Sequence, residues 1–135
     1  MMRRKLITRS LGVLELLVGM GALIGGGALA AIPSGALLGM PLHLLDGTPF
    51  HTYLIPGLVL CLVVGGSNIV GGWLALHERW STAISAVAGG LILMVWITSQ
   101  IVLIGYRHPI QLVYLLCGAL ILLVGAALPV FDRAV

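Results

Sequence analysis

Residues 82–106 read TAISAVAGGLILMVWITSQIVLIGY, a stretch without a single charged side chain. At about 1.5 Å of rise per residue, about 20 apolar residues cover the hydrocarbon core of a bilayer, which is about 30 Å thick. Backbone amides in lipid must be hydrogen-bonded internally, and the stretch lacks the alternating pattern of a barrel strand. Residues 82–106 therefore predict a membrane-spanning helix.

Three further stretches have the same character. Residues 54–76 and 109–130 carry no charge, and residues 10–32 carry only Glu15. The remaining segments are too short for a separate soluble domain. The sequence predicts an all-α membrane protein in which residues 1–135 form a single domain, an antiparallel bundle of four transmembrane helices.

The composition excludes an ordinary soluble domain. Hydrophobic residues make up 60% of the 135 residues and charged residues only 8%, against about 25% in a typical soluble domain. The net charge of +3 reflects an N-terminal cluster of cations beside an apolar segment, formed by Arg3, Arg4, Lys5 and Arg9. Such a cluster is typical of a cytoplasmic membrane flank. We expect a lipid bilayer, and no nucleic acid, as the partner of this chain.

The distribution of Lys and Arg predicts the orientation in the membrane. With the N-terminus inside, six of the seven cations are cytoplasmic and only Arg107 is outside, which follows the positive-inside rule. We expect a multi-pass protein of the bacterial inner (plasma) membrane with both termini cytoplasmic. A secretory signal cleaved after Ala28-Leu29-Ala30 is the alternative, but the apolar span exceeds a usual signal core, so we expect it to remain as a helix.

The first connection, residues 33–53, is too apolar for a free loop. Its large apolar side chains are Leu37, Leu38, Met40, Leu42, Leu44, Leu45 and Phe50. Pro41 suits the start of a short helix, and Asp46-Gly47-Thr48-Pro49 suits a turn that ends it. We expect an interfacial or re-entrant segment that caps the outer mouth of the bundle. An ordered connector with no ligand beneath it is the alternative.

Small residues recur at helix-packing intervals in all four spans. The pairs are Gly21 with Gly25, Ser67 with Gly71, Ser85 with Gly89, Ala86 with Gly90, and Gly118 with Gly125. Helices in lipid associate where small residues let their backbones approach. These pairs predict one compact bundle.

Polar side chains inside a span are costly in lipid and mark candidate sites. With the third span running outward, Gln100, Gln111 and Tyr114 fall in the outer half, and Trp96 shares a helix face with Gln100. We expect these four residues to line an outer-leaflet pocket for a lipid, a quinone or another amphipathic molecule. Hydrogen bonding between helices explains the same residues without a ligand.

Glu15 lies about 8 Å inside the cytoplasmic edge if the first helix begins near Ser10. A carboxyl group at that depth must be paired or uncharged, and Asn68, His77, Arg79 and Ser81 come from the same side of the bundle. A proton or ion site at Glu15 and Asn68 is the functional interpretation. An ion pair between Glu15 and Arg79, or a carboxylate that reaches the membrane interface, is the structural one.

Other chemistry has weaker support in the sequence. None of the four histidines falls in the middle of a span, so we expect no metal or haem. Cys61 and Cys117 lie at similar depth, which permits a disulfide without requiring one. Motifs of the common soluble enzymes do not occur, so we assign no catalytic residue.

Several motifs resemble a family of small uncharacterised bacterial four-helix membrane proteins. They are Pro33-Ser34-Gly35, Leu38-Gly39-Met40-Pro41, Gly47-Thr48-Pro49-Phe50, Leu54-Ile55-Pro56-Gly57, and Trp96-Ile97 with Gln100 and Ile104-Gly105. The resemblance covers about residues 33 to 115 and implies no known activity. The long first connection more loosely resembles the DoxX-like family, some members of which are linked to quinone or thiol redox systems. That likeness is architectural and carries over no functional residue.

These observations favour a non-enzymatic membrane protein that binds a lipid, a quinone or another amphipathic molecule. Two alternatives stay open. One is a packing or accessory subunit of a larger membrane complex or homo-oligomer, and the other is a small proton-coupled carrier that uses Glu15.

Overall fold

The computed structural model describes residues 2–133, most of which belong to four long helices. These are α1 (Met2–Ala31), α2 (Leu54–Leu76), α3 (Thr82–Ile104) and α4 (Pro109–Arg133). Each helix contains a segment long and apolar enough to cross a bilayer, and residues 2–133 include no strand. The predicted all-α fold with four membrane-spanning helices is confirmed, as is its multi-pass character.

Four helix bounds differ from the predicted spans, and two of them differ only slightly: α1 ends at Ala31 instead of Ile32, and α4 continues to Arg133 instead of ending at Val130. The first helix begins at Met2 instead of near Ser10, so the basic head extends the helix to 30 residues, or about 45 Å. The third helix ends at Ile104 instead of Tyr106. Gly105 ends it with φ 83° and ψ 171°, a conformation that favours glycine.

Neighbouring helices pack in a closed ring. Helix α1 packs on α2, α2 on α3, α3 on α4, and α4 returns to α1. Neighbours are antiparallel, since Gly12 of α1 lies near Gly72 and Gly26 lies near Gly57. The start of α1 and the end of α4 are therefore at one end of the bundle, called the terminal end here, and residues 33–53 cover the other, the cap end. Which end faces the cytoplasm stays a prediction.

Glycines bring the backbones of adjacent helices together. A Cβ atom on Gly26 would lie 2.6 Å from the carbonyl oxygen of Gly57 and closer still to the amide nitrogen of Cys61. A Cβ atom on Gly90 of α3 would lie 2.7 Å from the carbonyl oxygen of Gly118 and from the amide nitrogen of Leu122. Such spacing leaves no room for a side chain, so these glycines set the helix separation.

The glycines that perform this role in α1 are not the predicted pair. Gly12, Gly19 and Gly26, each seven residues apart, face α2. Gly21 faces the hydroxyl of Tyr114, and a Cβ atom on Gly25 would meet only a methyl group of Leu60 at 3.8 Å. The helical bundle is confirmed, but α1 packs through a different glycine face.

Residues 33–53 form an ordered cap with two 3₁₀ turns, Ala36–Leu38 and Leu42–Leu45. Pro41 immediately precedes the second turn. Asp46, with φ −60° and ψ 133°, and Gly47, with φ 82°, then form a type II turn, closed by the amide of Thr48 donating to the carbonyl of Leu45 at 3.0 Å. The short helix and the turn predicted here both occur.

The cap is fastened to the helices by apolar packing and by Tyr53. Leu45 and Tyr53 are buried together with Leu29 of α1, and Ile104 of α3 packs against them. The Tyr53 hydroxyl donates to the carbonyl of Pro41 at 2.7 Å. Several apolar side chains of the cap stay exposed, including Leu37, Leu38 and Leu42, as expected of a segment at the membrane interface.

Candidate functional site

Two cavities lie at the cap end of the bundle. The larger, about 530 Å³, is bounded by α2, α3 and the cap, and we call it the lateral crevice. The smaller, about 270 Å³, lies between all four helices, and we call it the central cavity. Val64, Trp96 and Gln100 line both, so the two cavities share a wall.

The lateral crevice is apolar along most of its length. Along α3 its lining extends from Leu91 to Ile104, about 20 Å of helix. The uncharged polar side chains in its lining, besides Tyr53, are Thr48, Ser99 and Gln100, all towards the cap end. The crevice therefore has an apolar body and a polar end, the distribution that suits an amphipathic molecule.

Sequence patterns did not predict the lateral crevice. Its α2 wall includes Val59, Val63 and Val64, which belong to a π-helical stretch, Val59–Gly65, inside α2. A π-helical turn takes an extra residue and is frequent at functional sites. The stretch VLCLVVG carries no sequence signal for this geometry, so the shape of the crevice depends on tertiary packing.

The central cavity brings together the four residues predicted to line a pocket. Trp96 and Gln100 come from α3, and Gln111 and Tyr114 from α4. Gly21 of α1 faces the Tyr114 hydroxyl, at 2.7 Å from the position of an ideal Cβ atom, so the glycine makes room for the phenol. Ligand binding by these residues stays a prediction.

The side chain of Gln111 is hydrogen-bonded to the turn between α3 and α4. Its Oε1 accepts hydrogen bonds from the backbone amides of Arg107 at 2.6 Å and His108 at 3.2 Å. Its Nε2 donates to Oε1 of Gln100 at 3.0 Å. Gln111 therefore forms hydrogen bonds within the protein, as in the alternative that needs no ligand. Its side chain satisfies backbone amides next to the start of α4.

Replacing Gln111 with leucine is expected to loosen this turn. The amides of Arg107 and His108 would lose their acceptor, at a cost of about 1–3 kcal/mol in the free energy of unfolding. Hydrogen exchange of the two amides, followed by NMR or mass spectrometry, should accelerate. Gln111→Glu keeps the acceptor and should preserve most of the protection, and equal exchange in the two variants would contradict this role.

Three hydrogen-bond donors on the shared wall or beside it remain unused. Within residues 2–133, the structure gives no acceptor to the Trp96 indole N–H, to Nε2 of Gln100 or to the Tyr114 hydroxyl. All three residues line the central cavity, and Trp96 and Gln100 also line the lateral crevice. Such donors can bind an oxygen acceptor on a ligand, such as a carbonyl or a phosphate oxygen.

Glu15 lies below the central cavity, on its terminal side, and is fully buried at 0% exposure. Neither of its carboxyl oxygens has a hydrogen-bond partner among the described residues. Asn68 of α2 is also 0% exposed, and its Oδ1 likewise has no partner. A Cβ atom on Gly89 would lie 3.4 Å from Oε1 of Glu15 and 3.3 Å from Oδ1 of Asn68, so both oxygens lie against the same glycine of α3.

The predicted ion pair between Glu15 and Arg79 is wrong. Arg79 is exposed in the turn after α2, and Asn68, at the level of Glu15, is about 16 Å of helix away from it. His77 is exposed too, and its Nδ1 lies 2.8 Å from the carbonyl oxygen of Trp73. Of the polar residues predicted near Glu15, only Asn68 converges with it.

The histidines and cysteines form neither a metal site nor a disulfide among the described residues. All four histidines, His43, His51, His77 and His108, are exposed. Within residues 2–133, no group of three His, Cys, Asp or Glu side chains is placed to hold a metal ion. Cys61 and Cys117 are both free.

The fold and its four apolar helices define the class, a multi-pass α-helical membrane protein. No protein-family model, curated protein or solved structure matches this chain. The resemblance to small bacterial four-helix proteins and to the DoxX-like family therefore stays a prediction.

Proposed function

We propose that this protein binds an amphipathic molecule, with its apolar chain in the lateral crevice and an oxygen-bearing head group at the shared wall of the two cavities. The observation that carries the proposal is an apolar crevice that ends at unused hydrogen-bond donors. Its volume of about 530 Å³ lies within the range of about 300–1,000 Å³ found for small-molecule sites.

The walls of the crevice favour a ligand that comes from the bilayer. Val59, Val63, Leu91 and Val95 line it and are also exposed on the outside of the bundle, where hydrocarbon chains surround the protein. A lipid or isoprenoid chain can therefore enter sideways without crossing water. The cap covers the end of the crevice through Met40, Leu45 and Phe50 and so limits how far the ligand extends.

The head-group end favours a hydrogen-bond acceptor. Oε1 of Gln100 is already bonded to Gln111, which leaves Nε2 of Gln100 to donate. The Trp96 indole N–H is a second donor on the same wall. A quinone carbonyl and the ester or phosphate oxygens of a lipid share this acceptor chemistry, and experiment must separate them.

Fluorescence of Trp96 provides the test. Trp73 and Trp80 are 51% and 87% exposed and line neither cavity, so Trp73→Phe with Trp80→Phe leaves Trp96 as the sole fluorophore. We expect saturable quenching when this variant in detergent is titrated either with an isoprenoid quinone or with a brominated phospholipid. Quenching by one of them identifies the source of the head group. Failure of both to quench saturably would overturn the proposal.

Filling the crevice should weaken binding. Val63→Phe adds a ring to the α2 wall, and we expect it to raise the Kd for the quenching ligand about tenfold, or by about 1.4 kcal/mol. Val70→Phe is the matched control, because Val70 is on the same helix and 55% exposed but lines neither cavity. Similar Kd values for the two variants would argue against the crevice as the site.

Removing the donor at the shared wall should also weaken binding. Gln100→Leu deletes Nε2 and is expected to raise the same Kd about tenfold, since a hydrogen bond contributes about 1 kcal/mol and an unpaired ligand acceptor costs more. Thr98→Leu on the same helix is the control, because Thr98 is exposed and lines neither cavity. Unchanged affinity in Gln100→Leu would exclude Gln100 from the head-group site.

The predicted alternative of a packing subunit has less support. Gly12, Gly19, Gly26, Gly90 and Gly118 meet neighbours within the chain. The helical glycines whose Cβ atom would meet open space are Gly27 and Gly66, which lie on different helices. The small-residue faces are thus used mainly to build this bundle.

A further inference from the structure

The layer that contains Glu15 has hydrogen-bond acceptors but too few donors. Both oxygens of Glu15 and Oδ1 of Asn68 are buried without partners among residues 2–133. The Asn68 amide group is already used, because its Nδ2 donates to the carbonyls of Val64 at 3.0 Å and Gly89 at 3.5 Å. Unpaired buried acceptors are costly, and a bare carboxylate most of all. A hydrogen on one Glu15 oxygen, donated to Oδ1 of Asn68, would pair two of these three oxygens.

Among residues 2–129, cationic side chains do not supply that hydrogen. Between Cys61 and His77, α2 has no titratable side chain, and α3 has none from Thr82 to Ile104. The titratable residues of α4 up to Pro129 are Tyr114 and Cys117, both nearer the cap end. On α1 itself, the nearest cation is Arg9, which is exposed.

Two glycines on facing helices make room for the carboxyl group. A Cβ atom on Gly71 of α2 would overlap Oε1 of Glu15 and would lie 3.1 Å from the hydroxyl oxygen of Ser85. Gly89 of α3 faces the same carboxyl oxygen together with Asn68. The Glu15 side chain therefore points between α2 and α3, towards Asn68 and Ser85.

A thin apolar layer separates Glu15 from the central cavity. Val18, Val64 and Leu93 line that cavity, and each lies about one helical turn towards the cap end from Glu15, Asn68 and Gly89, respectively. Their exposures are 3%, 1% and 2%. These three side chains form a floor that closes the cavity above the carboxyl group.

The terminal side is packed more tightly. Leu11, one turn below Glu15 on α1, is 4% exposed. Beside it, a Cβ atom on Gly12 would lie 3.0 Å from the carbonyl oxygen of Gly72 and 3.1 Å from the Cβ of Ala75. The central cavity, in contrast, reaches the floor above Glu15.

We propose that Glu15 and Asn68 form an occluded proton-binding site, in which the protonated Glu15 carboxyl donates its hydrogen to Oδ1 of Asn68, and that protons reach it from the central cavity through the floor of Val18, Val64 and Leu93. The step is simple protonation of a carboxylate, with no redox partner. It does not depend on a ligand in the lateral crevice.

Infrared spectroscopy of the full chain in detergent or nanodiscs tests the proton site. A protonated carboxyl group gives a C=O stretching band separate from that of carboxylates. We expect the band in the wild type at neutral pH, its loss in Glu15→Gln, and its retention in Glu78→Gln, which alters an acidic residue in the turn after α2. Absence of the band in folded wild-type protein throughout the accessible pH range would overturn the site.

Substitutions of Asn68 test whether this residue accepts the hydrogen bond from the protonated Glu15 carboxyl group. Removing the acceptor should shift the band to higher frequency, because a carboxyl group without a hydrogen bond has a stiffer C=O bond. Asn68→Leu keeps the approximate volume, and Asn68→Ala is the second variant in case the first does not fold. An unshifted band in either folded variant would overturn the assignment of Asn68.

The route of the proton to Glu15 is tested by hydrogen–deuterium exchange of the carboxyl group in D₂O, which shifts the same C=O band. Leu93→Ala opens the floor and should accelerate exchange about tenfold or more, because a Leu→Ala change leaves a cavity. Leu11→Ala makes a matched cavity on the terminal side and should leave the rate close to that of the wild type. Acceleration by Leu11→Ala but not by Leu93→Ala would overturn the route from the central cavity.

Discussion

Replacing Gly26 with leucine is expected to separate α1 from α2 and to lower the free energy of unfolding by about 3 kcal/mol or more, at the upper end of overpacking effects. The new side chain would have to occupy space that already holds the amide of Cys61 and the carbonyl oxygen of Gly57. A backbone cannot rotate away as a flexible side chain can, so the helices must move apart. The unfolding midpoint of detergent-solubilised protein measures the loss.

Gly27→Leu is the matched control for this experiment. Gly27 is the next residue in the same helix, and a Cβ atom there meets nothing within 4 Å. The change in helix propensity is the same, so the clash alone distinguishes the two variants. We expect Gly27→Leu to keep the wild-type free energy of unfolding within about 0.5 kcal/mol, and equal losses in the two variants would disprove the close approach at Gly26.

Replacing Tyr53 with alanine is expected to release the cap from the helices, at a cost of about 3–5 kcal/mol. The ring is 2% exposed and packs with Leu29 and Leu45. The hydroxyl donates to Pro41 and the backbone amide donates to Pro33 at 2.9 Å. Hydrogen exchange measured by mass spectrometry should increase across residues 33–53 and much less in α4.

Tyr53→Phe separates packing from hydrogen bonding. It keeps the ring and removes only the bond to the carbonyl of Pro41, so we expect a loss of about 1 kcal/mol. His51→Ala is the control for a change at the cap surface, because His51 is exposed, and should have little effect. If Tyr53→Ala exchanged no faster than Tyr53→Phe, the packing of the ring would not be what fastens the cap.

The Tyr53 phenol should also make the stability depend on alkaline pH. Burial raises the pKa of this group above its ordinary value, so the unfolded state loses its proton first. The contribution of the neutral phenol is complete below about pH 10, the unfolded value, and declines as the pH rises through the higher pKa of the folded state. The difference in unfolding midpoint between the wild type and Tyr53→Phe, measured against pH, should narrow in that range.

Sequence patterns predicted the spans better than the packing between them. Long neutral stretches identify helices because lipid cannot hydrogen-bond a backbone. They do not identify the buried face, since lipid and the bundle interior are both apolar. For α1, the spacing of small residues predicted the pair Gly21 and Gly25 as the interface, whereas the helix packs on α2 through Gly12, Gly19 and Gly26.

The positions of the candidate site residues were predictable from the sequence, but their hydrogen-bond partners were not. Depth and helix spacing placed Trp96, Gln100, Gln111 and Tyr114 together, and all four line the central cavity. Side-chain partners were less predictable, because they depend on the rotation of each helix. Gln111 bonds the turn before α4, and Glu15 points towards Asn68 instead of Arg79.

The amino-acid sequence alone determined that four helices cross a bilayer, because the solvent acts on each apolar segment independently and length and charge suffice to decide its state. The tertiary structure decided which glycines touch, where α2 adopts π-helical geometry, and that an unpartnered carboxyl group lies beneath a cavity. Those features depend on how the helices rotate and approach one another. In lipid, the rotation and approach of the helices are determined by close packing and polar contacts, which local sequence patterns do not encode.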